Sequence, residues 1–173
     1  MLNDIAEPGA KTCSTHYFTQ YRCMIDSNFS LVLKQLEALL ESEPDYIANA
    51  ANMSSLIYNS LTDLNWVGFY FQKNDELVLG PFNGQPACTR IPNGKGVCGT
   101  AFASNTTQRV DDVHLFPGHI ACDAASESEV VVPFKTTQIS GVFDIDSPVK
   151  ARFGDAEQAF FEAAVAIYVS RLG

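Results

Sequence analysis

The residues that decide the fold are WVGFYFQKNDELVL, at positions 66–79. Two runs rich in strand-forming residues, 66–71 and 77–79, flank a polar link from Gln72 to Glu76, which is the pattern of a β-hairpin. A second pair of strand-like runs, 130–134 and 139–145, is joined by the polar residues 135–138. Because hairpins join antiparallel strands, the chain is predicted to build an antiparallel sheet.

Helical patterns lie on both sides of these hairpins. A first helix is predicted from residue 17 to residue 41, with apolar residues at helical spacing: Phe29, Val32, Leu33, Leu36, Leu39 and Leu40. A second should start at Ser42, which would cap it with Pro44 in the first turn, and run to about Leu61. Its expected buried residues are Ile47, Ala50, Met53, Leu56 and Ile57.

The last predicted helix begins at Asp155, whose side chain can cap it together with Gln158 three positions on. Its expected buried face consists of Phe160, Phe161, Ala164, Ile167 and Tyr168. Helices with one apolar face need a surface to cover, so the order of elements favours an α+β fold, an antiparallel sheet with helices packed against it.

Length and charge limit the organisation and the partners. The 173 residues suit an N-terminal arm, residues 1–16, followed by a single domain, residues 17–173. A net charge of -9 without a basic run argues against nucleic acid or an anionic membrane as partner. No membrane span or signal peptide is recognisable, and five cysteines make a disulfide framework a poor explanation. We therefore expect a soluble cytoplasmic protein with free or catalytic thiols.

The segment between the hairpins carries most of the reactive side chains. Residues 86–123 read PACTRIPNGKGVCGTAFASNTTQRVDDVHLFPGHIACD and contain Cys88, Cys98 and Cys122. Only a short helix, from near Val97 to near Ser104, is predicted within it. Long irregular segments in compact domains are usually functional or disordered, and the bulky apolar residues here argue against disorder.

Gly94 to Gly99 match the dinucleotide-binding pattern G-x-G-x-x-G, but that site needs a βαβ unit, which the surroundings do not predict. The glycines more simply allow a tight turn into the short helix. Cys98 then lies in the first turn, where the helix dipole favours a thiolate. Alternatively, its side chain packs under the helix between Val97 and Phe102.

A metal site is one further alternative that the sequence leaves open. A zinc site would draw on these residues: Cys88, Cys98, His114, His119 and Cys122. The usual close pair of cysteines is missing, which disfavours a zinc site.

Three acidic residues are a separate feature. Asp144 and Asp146 share one strand face, and Glu129 precedes another strand. Acidic side chains are usually exposed to solvent, which is one interpretation of these residues. Asp144, however, ends an apolar run, and a charge on the inward face there would need a cationic or hydrogen-bonding partner.

Several motifs together resemble the free methionine-(R)-sulfoxide reductases, which are stand-alone GAF domains. The motifs are Cys88-Thr89-Arg90-Ile91-Pro92, Gly94 to Gly99, Asp112-Val113-His114, Phe116 to Asp123, and Asp144 to Pro148. The resemblance runs from about Asn65 to the C-terminal helix, and the cysteine spacings of ten and twenty-four residues are specific. The N-terminal arm falls outside it.

The resemblance implies a GAF fold and an oxidoreductase that reduces free L-methionine-(R)-sulfoxide. It implies that Cys122 attacks the sulfoxide sulfur, that Cys88 resolves the resulting sulfenic acid as a disulfide, and that Cys98 is an accessory or alternative resolving thiol. The family's acidic cluster corresponds to Glu129, Asp144 and Asp146, and its aromatic wall to Trp66 and Tyr70.

The resemblance also implies partners. Thioredoxin is the expected reductant, no metal or other cofactor is expected, and the N-terminal helix could serve a homodimer. The acidic cluster would assist the sulfoxide oxygen and pair with the substrate ammonium, which favours a free amino acid over a peptide. The alternative function is a GAF domain that senses a small molecule or an oxidant without turnover.

Overall fold

The computed structural model describes residues 15–118 and 124–172, with side chains from residue 27 onward. Most of the expected N-terminal arm lies outside these ranges, and its last two residues begin the first helix. The α-helices are α1 (Thr15–Leu40), α2 (Tyr46–Ser60), α3 (Gly96–Ser104) and α4 (Asp155–Ser170). A short 3-10 helix spans Val113–Leu115.

A six-stranded antiparallel sheet forms the centre of the molecule. Its strands are β1 (Trp66–Lys73), β2 (Glu76–Gly84), β3 (Arg90–Pro92), β4 (Gln108–Val110), β5 (Ser128–Lys135) and β6 (Ser140–Ser147). The order across the sheet is β3-β2-β1-β6-β5-β4. Both predicted hairpins are confirmed, and the pairing of β1 with β6 joins them into one sheet. The predicted α+β class is therefore confirmed.

One face of the sheet packs against α2 and α4, and α1 packs against these two helices. Strand β1 shows how the alternation works, because Val67, Phe69 and Phe71 point into this helical layer. The ring of Phe69 lies 4.8 Å from those of both Phe143 and Tyr168. These rings pack the sheet against the helices. The alternate side chains of β1 lie on the opposite face of the sheet, in a separate apolar cluster.

Both predicted helix caps were wrong. Asp45, not Ser42, caps α2, since its Oδ1 accepts a hydrogen bond of 2.8 Å from the amide of Ala48. At α4 the cap residue is Gly154, whose N–H donates to the Glu157 carboxylate at 3.0 Å. The carboxylate of Asp155 instead pairs with Arg109 at 2.6 Å. At both helices a carboxylate other than the predicted cap, Asp45 at α2 and Glu157 at α4, accepts the capping hydrogen bond.

Two residues assigned to buried helix faces are exposed. Leu39 is 44% exposed and Ile47 is 41% exposed. In α1 the fully buried line runs through Leu36 and Leu40, one turn apart, and Leu39 lies beside it. In α2 Asn49 is buried and Ile47 is not. The side-chain amide of Asn49 donates a hydrogen bond of 2.7 Å to the Glu43 carbonyl. No helix in the described ranges is both long enough and apolar enough to cross a bilayer.

Candidate active site

The second face of the sheet carries acidic and aromatic side chains in register. On neighbouring strands Glu129 pairs with Asp146, and Asp146 pairs with Trp66. Asp144 lies two positions along β6, opposite Gly68. Directly paired side chains on one face lie about 5 Å apart at Cβ, so strand pairing alone brings these acids and the indole together. We call Glu129, Asp144 and Asp146 the acidic cluster.

The acidic cluster is buried, which changes its protonation. Burial, then the charges of Asp144 and Asp146, raises the pKa of Glu129 well above its usual value. Burial also raises the pKa of Asp144 to about 6, although hydrogen bonds with Cys98 and Glu129 act in the opposite direction. Within the described chain, Oδ1 of Asp144 is buried without a hydrogen-bond partner. Burial thus makes ionisation of both Glu129 and Asp144 more costly, and it favours retention of a proton within the cluster.

Cys98 reaches this cluster from the first turn of α3. Its buried thiol donates a hydrogen bond to Oε1 of Glu129, with a sulfur to oxygen distance of 3.8 Å. Burial, followed by the charges of Asp144 and Glu129, raises the pKa of the Cys98 thiol well above normal. The dipole argument for a thiolate was therefore wrong, because desolvation and neighbouring carboxyls outweigh the helix terminus. The packed alternative is the one observed.

The glycine motif builds the turn that places Cys98. The N–H of Gly94 donates to the carbonyl of Gly99 at 2.9 Å, and Gly94 and Gly96 have φ angles of 75° and 62°. A Cβ on Gly99 would lie 2.5 Å from the carbonyl oxygen of Pro92. The preceding strand β3 is an antiparallel edge strand, so the glycine motif does not lie in the βαβ unit that a dinucleotide site needs.

Trp66 and Tyr70 form an aromatic wall beside the acidic cluster. Their rings are stacked with centroids 5.8 Å apart, and both side chains are buried. Two contributors were missed in the sequence, Gly68 and Phe82. A Cβ on Gly68 would lie 2.5 Å from the indole, and the ring of Phe82 stacks on Trp66 at 5.3 Å. A glycine between two aromatic residues of one strand face was the available signal.

The cysteines fall into different environments. Cys88 is a half-buried free thiol that packs against the same apolar cluster as Trp66, Tyr70 and Cys98. Cys122, expected to be the nucleophile, and His119 lie outside the described residues. The structure thus brings Cys88, Cys98, the acidic cluster and the aromatic wall to one face of the sheet.

Charged residues flank the chain on both sides of positions 119–123. Lys150 bridges Asp112 at 2.7 Å and Glu127 at 3.7 Å, and His114 lies 3.4 Å from Glu127. The hydrogen bond from Lys150 is the main cause that lowers the pKa of Asp112. These contacts tie the 3-10 helix to the loop that follows β6.

Two groups of described residues have donor atoms close enough to hold a metal ion, within 4.8 Å of one another. One consists of Cys98, Glu129 and Asp144, and the other of Asp112, His114 and Glu127. Within the described ranges, neither group combines cysteine with histidine. The cysteine and histidine set considered for structural zinc is therefore not assembled in this part of the chain.

Comparisons with known proteins agree with this geometry. The family profile described as GAF domain matches residues 27–171. "Protein YtsP" of Bacillus subtilis is 56% identical over 138 residues, covering 78% of this chain and 85% of that protein. The "Free methionine-R-sulfoxide reductase" of Escherichia coli is 54% identical over 134 residues, covering 77% and 81%.

A solved structure extends the likeness to three dimensions. The fRMsr of Staphylococcus aureus in complex with substrate superposes with a TM-score of 0.80 at 52% identity, covering 84% of this chain and 96% of that one. Fold and profile together define a GAF domain. Within that class, the chain belongs to the free methionine-R-sulfoxide reductase family of oxidoreductases. The family resemblance noted in the sequence is confirmed.

Proposed function

We propose that this chain reduces free L-methionine-(R)-sulfoxide to L-methionine through a thiol cycle. The observation that carries the proposal is the buried acidic cluster beside the stacked rings of Trp66 and Tyr70 on one face of the sheet. Buried carboxyls with raised pKa values beside aromatic rings suit a substrate with a basic sulfoxide oxygen, an ammonium group and an apolar methyl group.

In the proposed first step, the Cys122 thiol attacks the sulfoxide sulfur while the oxygen accepts a proton. Glu129 is the proposed proton donor, because burial raises its pKa and so favours its protonated form, and the proton released by the Cys122 thiol restores it. The sulfoxide loses its oxygen as methionine leaves, and Cys122 gains it as a sulfenic acid. The substrate sulfur is reduced by two electrons and the cysteine sulfur is oxidised by two.

Charge accounts for the choice of a free amino acid. Asp144, with a pKa of about 6, is mainly ionised at neutral pH, and its buried Oδ1 accepts no hydrogen bond from the described residues. In our proposal it pairs with the substrate ammonium together with Asp146. A peptide has an amide at that position and would leave a buried carboxylate unpaired, which is costly.

The thiols complete the cycle in the proposed second step. The Cys88 thiol attacks the sulfenic acid of Cys122, a disulfide forms and water leaves. A dithiol reductant, for which thioredoxin is the expected protein, then restores both thiols by exchange. Cys98 is accessory in this scheme, because its neutral buried thiol is a poor nucleophile. We place the whole cycle in one domain of residues 17–173.

The test is incubation of purified protein with each sulfoxide epimer and dithiothreitol. The expected result is many turnovers on the R epimer alone and none in Cys122→Ser. Consumption of the S epimer, or full activity in Cys122→Ser, would contradict the proposal. A single stoichiometric event without turnover would favour the sensing alternative instead.

A further inference from the structure

We propose that Tyr70 is also a positioning residue for the resolving thiol, since its hydroxyl anchors the main chain of Cys88. The inference rests on the proposed function and adds a second task for the aromatic wall. The phenol donates a hydrogen bond of 3.0 Å to the carbonyl oxygen of Cys88. The aromatic wall of the proposed substrate site therefore also positions the main chain that carries the Cys88 thiol.

The anchored segment, residues 85–89, connects β2 to the edge strand β3, and three hydrogen bonds between described residues tie its main chain to β1 and β2. Besides the bond from Tyr70, the indole N–H of Trp66 donates to the Gln85 carbonyl at 3.2 Å. The N–H of Leu79 donates to the Thr89 carbonyl at 3.0 Å. Two of the three ties come from the side chains of the aromatic wall, and both side chains are 1% exposed. Fixed, buried donors thus hold an otherwise irregular segment.

The hydroxyl of Tyr70 has a role that its ring does not explain. The ring packs in the apolar cluster, and phenylalanine would fill the same space. The hydroxyl alone reaches the main chain of Cys88, the residue whose half-buried thiol must meet the sulfenic acid. Bond-forming steps are sensitive to displacements of about 1 Å, so an anchor on this residue affects the rate of that step.

The affected reaction is the second chemical step. Cys88 gives up its thiol proton and forms a sulfur-sulfur bond with Cys122, whose sulfenic oxygen leaves as water. The Cys88 sulfur is oxidised by one electron equivalent and the Cys122 sulfur is reduced by one. A neutral hydrogen bond of ordinary strength, if lost from the positioned state only, lowers a rate by about fivefold.

The experiment compares Tyr70→Phe with a matched control, Tyr168→Phe. Tyr168 is equally buried and donates an equivalent bond of 3.1 Å to the carbonyl of Tyr46, but on the helical face of the sheet. Each protein receives one equivalent of L-methionine-(R)-sulfoxide without reductant. Methionine release reports the first step, and mass spectrometry of quenched samples reports disulfide formation.

The expected result is that Tyr70→Phe lowers the ratio of disulfide formation to methionine release by about fivefold, while Tyr168→Phe leaves the ratio as in the wild type. Trapping with dimedone should show a longer-lived sulfenic acid in Tyr70→Phe. If that variant does not fold, Trp66→Phe, which removes the tie to Gln85, should lower the same ratio.

Three results would overturn the inference, each for a different reason. An unchanged ratio in Tyr70→Phe, with a normal disulfide in the wild type, refutes the positioning role alone. A wild-type disulfide that excludes Cys88 refutes the resolving assignment and the inference with it. A wild type that releases no methionine refutes the proposed function itself.

Discussion

Replacing Asp144 with asparagine should stabilise the protein above pH 6 relative to the wild type. Burial raises the pKa of Asp144 from 3.8 to about 6, so the folded state binds a proton more tightly than the unfolded chain. The contribution of Asp144 to wild-type stability therefore falls as pH rises between about 4 and 6. The ionised side chain then costs about 3 kcal/mol above pH 6, a cost that asparagine does not have.

Urea unfolding of both proteins at half-unit intervals from pH 4 to pH 8 measures this difference. The stability of Asp144→Asn minus that of the wild type should increase by about 3 kcal/mol, mostly below pH 6. Asp75→Asn, in the exposed turn between β1 and β2, is the control for the loss of one carboxylate. A difference for Asp144→Asn that is constant, or that falls with pH, would refute a buried carboxyl of raised pKa.

Three further variants test separate parts of the site. Glu129→Gln should lower kcat by about 100-fold or more with a smaller change in KM, because the amide cannot supply the proton. In the wild type, activity should fall as rising pH ionises Glu129, and a pH profile without that descending limb would contradict the role. Gly68→Ala should raise KM about tenfold, since its Cβ would displace the Trp66 indole; an unchanged KM would remove the indole from the site. Gly99→Ala should lower the free energy of unfolding by about 1–3 kcal/mol, measured in urea, because of the contact with Pro92. Equal stability would mean that the α3 turn is not fixed by this glycine.

Much of the fold was readable in the sequence because the strong signals are local. The hairpin of β1 and β2 follows from two apolar runs around a polar link, and alternation along β6 puts Asp144 and Asp146 on one face. The helix caps were less predictable, since several carboxylates compete near each helix start. Asp45 caps α2 because the helix begins at Tyr46, a boundary that the sequence does not fix.

The environment of the site required the folded structure. The pKa of Cys98 depends on Glu129 and Asp144, which come from strands far along the chain. Position at a helix terminus therefore gave the wrong protonation state. The bond from Tyr70 to the carbonyl of Cys88 likewise joins residues eighteen positions apart, and no sequence pattern indicates it.

The most direct test of the account is a map of the cysteines after one turnover. The protein is treated with one equivalent of L-methionine-(R)-sulfoxide without reductant, alkylated, digested in acid and examined by mass spectrometry. The account predicts one methionine released per chain, a linked peptide joining Cys88 to Cys122, and an alkylated Cys98. Methionine release with Cys88 still alkylated, or a link that involves Cys98, would contradict it.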